Sequence, residues 1–270
     1  MLPDVSTRAA DLQARAEREA HRQRLDAFLA SREAGNTLTS DSLSDGINLH
    51  AVVAAAASVA VFADQALAII TDEYRPALQC SEGCSYCCCK PGVLITVPEL
   101  LRILSHVGAE LNDVSRLALA ERARRYAAQI EGRRFDDATN ESVPCPLLLE
   151  GRCSVYELRP LVCRGYNSTS VDACRKAHAD TRELVPIFSV LKDVTDGATV
   201  GASQGLRGAG VNDAMVDLGS ALNIALAAGD EFQQAVLDGS TALVPAQNPT
   251  WVEELWARVQ QTAQSIEFTR

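Results

Sequence analysis

The chain has 270 residues, 47% of them hydrophobic and 22% charged, with 35 acidic against 25 basic side chains and a formal net charge of −10. That length supplies one large domain or two small ones with material for a buried core, and the composition excludes a disordered or fibrous chain. The acidic balance argues against general nucleic-acid binding and against an anionic membrane as partner, because phosphate contacts need an excess of Lys and Arg.

Residues from about Ser6 to Ser31 are rich in Ala, Arg, Glu and Gln and read as a charged helix. Its apolar stripe is thin, so it is either solvated or packed on a partner. Asn36 to Ser44 is polar and reads as a linker. A long Ala/Val-rich helix is expected from about Asp45 to Tyr74, ended by Arg75-Pro76 because the residue before proline resists the helical region. Its apolar run, Ala51 to Ile70, is mostly alanine and carries Asp64 and Gln65, so a buried or amphipathic helix is expected rather than a membrane span. The first residues lack the basic start and apolar run of a secretory signal, which leads to the expectation of a bacterial-type cytoplasm with reduced thiols.

Further along, Lys90-Pro91-Gly92 reads as a turn and Val93 to Thr96 as a short extended piece. Pro98 suits the first turn of a helix running through Leu101 and Leu104 and closing at Gly108. A second helix, from about Asn112 to Ile130, places Leu119, Ala123, Tyr126 and Ile130 on one face. Glu141 to Asn167 reads as irregular, followed by a brief helix over Asp172 to Ala179. Gly197 to Gly210 reads as a glycine-rich loop that lacks the signature of a phosphate-binding loop. Met215, Leu218, Leu222 and Leu226 mark an amphipathic helix capped at Gly229. Thr250 with Glu253 opens a last helix whose Val252, Trp256 and Val259 face inward. The expected fold is mainly α: a helical domain with an irregular, metal-stabilised cysteine region and at most a few short strands. Its expected organisation is a charged helix and linker over 1–45, a cysteine-cluster metal-binding domain over 46–185, and a C-terminal helical segment over 186–270 packed on the same domain.

All nine cysteines fall between Cys80 and Cys174. Thiols kept only for packing would be scattered through the helices. The odd count and the run Cys87-Cys88-Cys89 also fit a disulfide framework badly. The first cluster, Cys80-Ser-Glu-Gly-Cys84-Ser-Tyr-Cys87-Cys88-Cys89, has the C-x3-C-x2-C spacing that lets sulfurs converge where the backbone turns, as in loop-built zinc and iron–sulfur sites. Adjacent Cys87 and Cys88 project differently, which suits two metals or a cluster better than one ion. The second cluster runs from Cys145-Pro-Leu-Leu through Gly151-Arg-Cys153-Ser-Val-Tyr-Glu-Leu-Arg-Pro to Cys163-Arg164. Cys174 and His178, four residues apart, share one face if their segment is helical. Lys90, Arg152, Arg159, Arg164, Arg175 and Lys176 surround the cysteines as candidate partners for electron-rich sulfur, although Arg159 equally suits a carbonyl. His21, His50 and His106 have no companion pattern and read as structural or solvent-facing.

The two motifs, in this order, resemble the YkgJ-type cysteine cluster proteins, whose zinc- or iron-chelating domain takes its name from a CxxCxxCC pattern. The resemblance covers roughly residues 76–170. It implies a metal-chelating role for Cys80, Cys84, Cys87, Cys88, Cys145, Cys153 and Cys163, to which the helical spacing adds Cys174. Cys89 exceeds the family pattern, and neither it nor His178 is assigned. The implied cofactor is zinc or iron, the latter including an iron–sulfur cluster. The implied role is structural, storage or metal trafficking, with a metal ion and a protein client as partners. Flagellin lysine N-methylases carry a related motif, so an enzyme, either a methylase or a redox enzyme using an iron–sulfur cluster, is the alternative. No strand–turn–helix for a methyl-donor nucleotide is recognisable.

Overall fold

The computed structural model describes residues 5–133, 141–180, 183–229 and 231–247. Helix α1 spans Val5–Leu43 and α2 spans Leu49–Tyr74. Strand β1 (Leu94–Thr96) leads directly into α3 (Val97–Glu110), followed by α4 (Asp113–Ile130). A hairpin of β2 (Leu148–Leu149) and β3 (Arg152–Cys153) precedes the short helices α5 (Leu161–Gly165) and α6 (Val171–Ala179). Helix α7 (Ser189–Gly208), strand β4 (Met215–Asp217), α8 (Leu218–Ala228) and α9 (Phe232–Leu237) complete the described helices and strands. The mainly helical class with a few short strands is as expected. The predicted helix beginning at Thr250 lies outside the described residues.

Two expectations are corrected by one feature. The polar stretch from Asn36 is helical through Leu43, and the glycine-rich segment from Gly197 is helical through Gly208. Both belong to one helix pair packed backbone to backbone. A Cβ placed on Gly197 would lie 2.2 Å from the Phe28 carbonyl oxygen, one on Gly201 1.9 Å from that of Arg32, and one on Gly35 2.4 Å from that of Ala198. Gly197, Gly201 and Gly205 recur every four residues, so they form one stripe along α7 that α1 can approach closely. Such contact outweighs the roughly 1 kcal/mol per glycine that disfavours a helix interior. Arg24 fixes the alignment by a two-pronged pair with buried Asp193 at 2.6 and 3.0 Å. The partner of the charged helix is therefore α7 of the same chain.

Helix α2 starts where the Asn48 side chain accepts the Ala51 N–H at 3.0 Å, and ends at Arg75, which takes a left-handed conformation (φ 45°) ahead of Pro76. Among the described residues it is the one helix long and apolar enough to cross a membrane by length and composition, and it buries Val52, Ala55, Ala56, Val59, Ala60 and Ala63 in the protein. Helix α4 buries Leu119, Ala123, Tyr126 and Ile130, the face read from the sequence. Gly108 lies inside α3, which continues to Glu110, and Met215 belongs to a strand rather than to the helix that follows it.

Strands β1 and β4 pair antiparallel, with Leu94 opposite Asp217 and Thr96 opposite Met215. Each runs straight into a helix capped by its last residue: Thr96 in a reciprocal capping box with Glu99, and Asp217 accepting the Ser220 N–H at 2.9 Å. The Tyr126 hydroxyl donates to Asp217 at 2.9 Å and accepts the Gly92 N–H at 3.3 Å, tying α4 to both strands. The main core forms around this ribbon from Leu100, Leu101, Ile103, Leu222 and Val216, and Cys145 and Cys153 pack against its edge.

Candidate metal centre

The two cysteine stretches meet through the backbone. The Cys145 N–H donates to the Cys88 carbonyl at 2.8 Å, and the Val143 N–H donates to the Cys89 carbonyl at 2.9 Å. At the other end of the first stretch, the Gln79 N–H donates to the Ser168 carbonyl at 2.9 Å, while the Ser168 N–H donates to the Cys80 sulfur at 3.1 Å. Residues 79–89 are thus fastened at both ends to the chain beyond residue 143.

Local structure then aims the sulfurs. Cys87–Cys89 form one 3-10 turn, closed by the Lys90 N–H on the Cys87 carbonyl at 3.2 Å. The thiols of Cys87 and Cys88 stay within hydrogen-bonding reach of each other in this turn. Cys87 stands within range of Cys80, Cys88, Cys89, Cys153 and Cys163, while Cys89 is also close to Cys145, Ser142 and Lys90. The divergence expected of Cys87 and Cys88 is not seen, because their thiols hydrogen-bond to each other.

Within the stretch read as irregular, β2 and β3 form a two-residue hairpin with Leu148 opposite Cys153. Glu150 and Gly151 both take positive φ, 51° and 77°, the turn geometry that matches the strands' twist. The hairpin returns Cys153 to the neighbourhood of Cys145. Each of these sulfurs accepts the N–H two residues on, from Leu147 and Val155 respectively. Paired N–H donors of this kind stabilise negative sulfur without a charged side chain.

Cys163 sits on α5, whose first N–H, that of Leu161, donates to the buried Glu99 carboxylate at 2.7 Å. Cys174 sits on α6, where the Ser170 hydroxyl accepts the Ala173 N–H at 3.1 Å. Cys80 senses Cys84, Cys174 and Cys87, whereas Cys163 senses Cys145, Cys87 and Cys153. The sequence-predicted cysteines therefore neighbour one another in succession, with Cys87 in range of both Cys80 and Cys163.

Burial dominates their electrostatics. It pushes the Cys145 thiol up from 9.0 to about 12 and holds the Cys163 thiol well above its ordinary value. The Cys87 thiol is raised chiefly by its hydrogen bond with Cys88 and then by burial. Neighbouring sulfurs add to each shift, since a second thiolate opposes ionisation of the first. A cation reverses this balance by attracting every thiolate at once. Among the described residues, no three His, Cys, Asp or Glu side chains are grouped so that they could hold a metal ion as they stand. The soft thiol donors are chemically suited to zinc or iron, and side-chain movement would have to complete the shell.

Of the cationic residues, Lys90 and Arg159 favour the Cys89 and Cys153 thiolates as expected, whereas Arg164, Arg175 and Lys176 are engaged elsewhere. Arg164, whose side chain is only 3% exposed, pairs with Asp64 of α2 at 2.5 Å and donates to the Glu157 and Arg159 carbonyls at 2.6 and 2.7 Å. Arg175 and Lys176 pair with Asp172 on the exposed face of α6. Arg159 lies 3.5 Å above the Tyr156 ring and donates to the Tyr156 carbonyl, holding the loop while its charge favours the Cys153 thiolate. Glu99 carries the site's geometry without having been singled out in the sequence. The only available signal was the Thr96-x-x-Glu99 capping box, and that points to α3 rather than to α5.

Residues 79–183 match the model of the CxxCxxCC family, described as a "putative zinc- or iron-chelating domain". No curated protein and no solved structure matches the chain.

Proposed function

We propose that residues 79–183 bind zinc or iron through Cys80, Cys84, Cys87, Cys88, Cys145, Cys153, Cys163 and Cys174, and that the metal organises this loop-rich part of the fold. The carrying observation is the hydrogen bonding of the Cys88 and Cys89 carbonyls to the Val143–Cys145 backbone, which joins two cysteine motifs far apart in sequence. The N–H donors on the Cys80, Cys145 and Cys153 sulfurs support the reading, because they favour the thiolate form that a metal requires. The finer assignment is to a YkgJ-type cysteine cluster protein with a structural or metal-handling role in a reducing cytoplasm, where thiols remain available as ligands.

The test is elemental analysis of the full chain purified without oxygen, read together with its optical spectrum. A colourless protein with bound zinc assigns a thiolate zinc centre, whereas absorption near 400 nm with iron and sulfide assigns an iron–sulfur cluster. A folded chain that takes up neither metal, even after reconstitution, overturns the proposal.

A further inference from the structure

The segment from Gln79 to Tyr86 lies along the whole of α6. At its start, the Gln79 side chain accepts the N–H of Val171, the first residue of the helix, at 2.8 Å. At its end, the Tyr86 ring stands 5.9 Å from the ring of His178, in the last turn of the helix. Gln79 and Tyr86 are seven positions apart, as are Val171 and His178, so the loop and the helix run side by side in the same direction. Cys80 and Cys84 lie on the loop between those two contacts. Cys174 and His178 lie one helical turn apart on α6, within that same span.

His178 carries the decisive detail. Its Nδ1 is buried and has no hydrogen-bond partner. A buried polar nitrogen left without a partner costs about 1–3 kcal/mol, and native structures rarely leave one so without a reason. Imidazole nitrogen beside thiols is a zinc donor set, and a metal bond would satisfy this atom. Tyr166 stands near Cys87, Cys174 and Cys80 alike. Cys145 and Cys163 both neighbour Cys153, and Cys87 is in range of Cys163 as well as of Cys80.

We propose that Cys80, Cys84, Cys174 and His178 form a mixed sulfur–nitrogen site for a single divalent cation of zinc's type, adjoining the all-sulfur set that includes Cys87. This rests on the metal-chelating reading above and divides its donors between two centres. Binding deprotonates the three thiols and leaves the imidazole neutral, so the protons pass to solvent as the ion enters.

The experiment uses the full chain, stripped of metal under reducing conditions and reloaded with Zn²⁺ for stoichiometry or Co²⁺ as an optical probe. His178→Ala and Cys174→Ser should each lose one metal equivalent per chain and retain the remainder. Cys163→Ser, from the other set, should keep the equivalent that depends on His178. His178→Cys should regain that equivalent and shift the cobalt bands toward an all-sulfur pattern, which guards against a variant that only misfolds. Full metal content with an unchanged cobalt spectrum in His178→Ala overturns the mixed site and leaves chelation standing. So does a wild-type chain that holds only an iron–sulfur cluster, and so does a His178→Cys chain that regains neither metal nor fold. A wild-type chain that takes up no zinc, cobalt or iron removes both readings.

Discussion

The buried carboxylate of Glu99 accepts the Leu161 N–H at 2.7 Å across a separation of 62 residues, while its other oxygen accepts the N–H and hydroxyl of Thr96 at 2.8 and 2.9 Å. One side chain therefore caps two helices: α3, in which it resides, and α5, which carries Cys163. Burial raises the Glu99 pKa, and the three donors work against that shift by favouring the charged form. Glu99→Gln keeps the size but turns one acceptor into a donor that faces other donors. Hydrogen bonds to a charged acceptor contribute about 1.5–3 kcal/mol each, so the variant should lose at least about 2 kcal/mol in urea unfolding. An unchanged midpoint would show that α5 holds its position without this cap.

The α1–α7 contact makes a sharper prediction, because it compares two glycines of one helix. Gly201→Ala forces a methyl to within 1.9 Å of the Arg32 carbonyl oxygen, and the backbone of α1 cannot move aside locally. Overpacking of this kind typically costs about 1–3 kcal/mol. Gly208→Ala meets nothing within 4 Å and should be neutral or stabilising by up to about 1 kcal/mol. Thermal melts of the two variants should therefore move in opposite directions, or the first alone should fall. Equal melting temperatures would contradict the close helix approach.

Helix α4 shows why some of the fold was legible in the sequence and some was not. Leu119, Ala123, Tyr126 and Ile130 bury one regular face against α8 and its neighbours, so their spacing alone locates the helix and its inner side. The α7 glycines carry the opposite local signal, since glycine disfavours helix and marks loops. Only the presence of α1 makes them favourable, and a partner more than 150 residues away leaves no local trace. The two cysteine motifs were visible because metal-ligand chemistry restricts residue type and spacing together. The Glu150-Gly151 hairpin between them passed for irregular chain because its strands are two residues long, too short for any alternation to register. The position of Arg164 in sequence, next to Cys163, suggests a partner for sulfur, whereas the fold commits it to Asp64 and two carbonyls.

Tyr126 joins α4 to the β1–β4 ribbon on which α3 and α8 are mounted. Its hydroxyl satisfies both the Asp217 carboxylate and the Gly92 N–H. Tyr126→Phe retains the ring beside Gly219 and removes only the oxygen. The buried carboxylate then loses a donor and the Gly92 N–H an acceptor, a penalty of about 1–3 kcal/mol. Chemical denaturation should show that loss with an unchanged slope, as the surface exposed on unfolding stays the same. Wild-type stability in this variant would mean that solvent replaces the hydroxyl at no cost.

The thiol of Cys145 sets opposite pH dependences for the metal-free and metal-loaded chain. Burial raises it from 9.0 to about 12 in the folded protein. Between those limits the unfolded chain has released this proton and the folded chain still holds it. Stability therefore falls as pH rises from about 9 to about 12, and is insensitive to this group below that window. Metal uptake runs the other way, because a thiolate ligand must lose the same proton first. Apparent metal affinity should accordingly rise with pH through the neutral range, with protons released to a weakly buffered solution on loading. Cys145→Ser should flatten the alkaline loss of stability in the stripped chain and also reduce the protons released on loading. Both effects are readable by urea titration and by calorimetry in buffers of different ionisation heat. If Cys145→Ser releases as many protons as the wild type, Cys145 does not bind the metal through its sulfur.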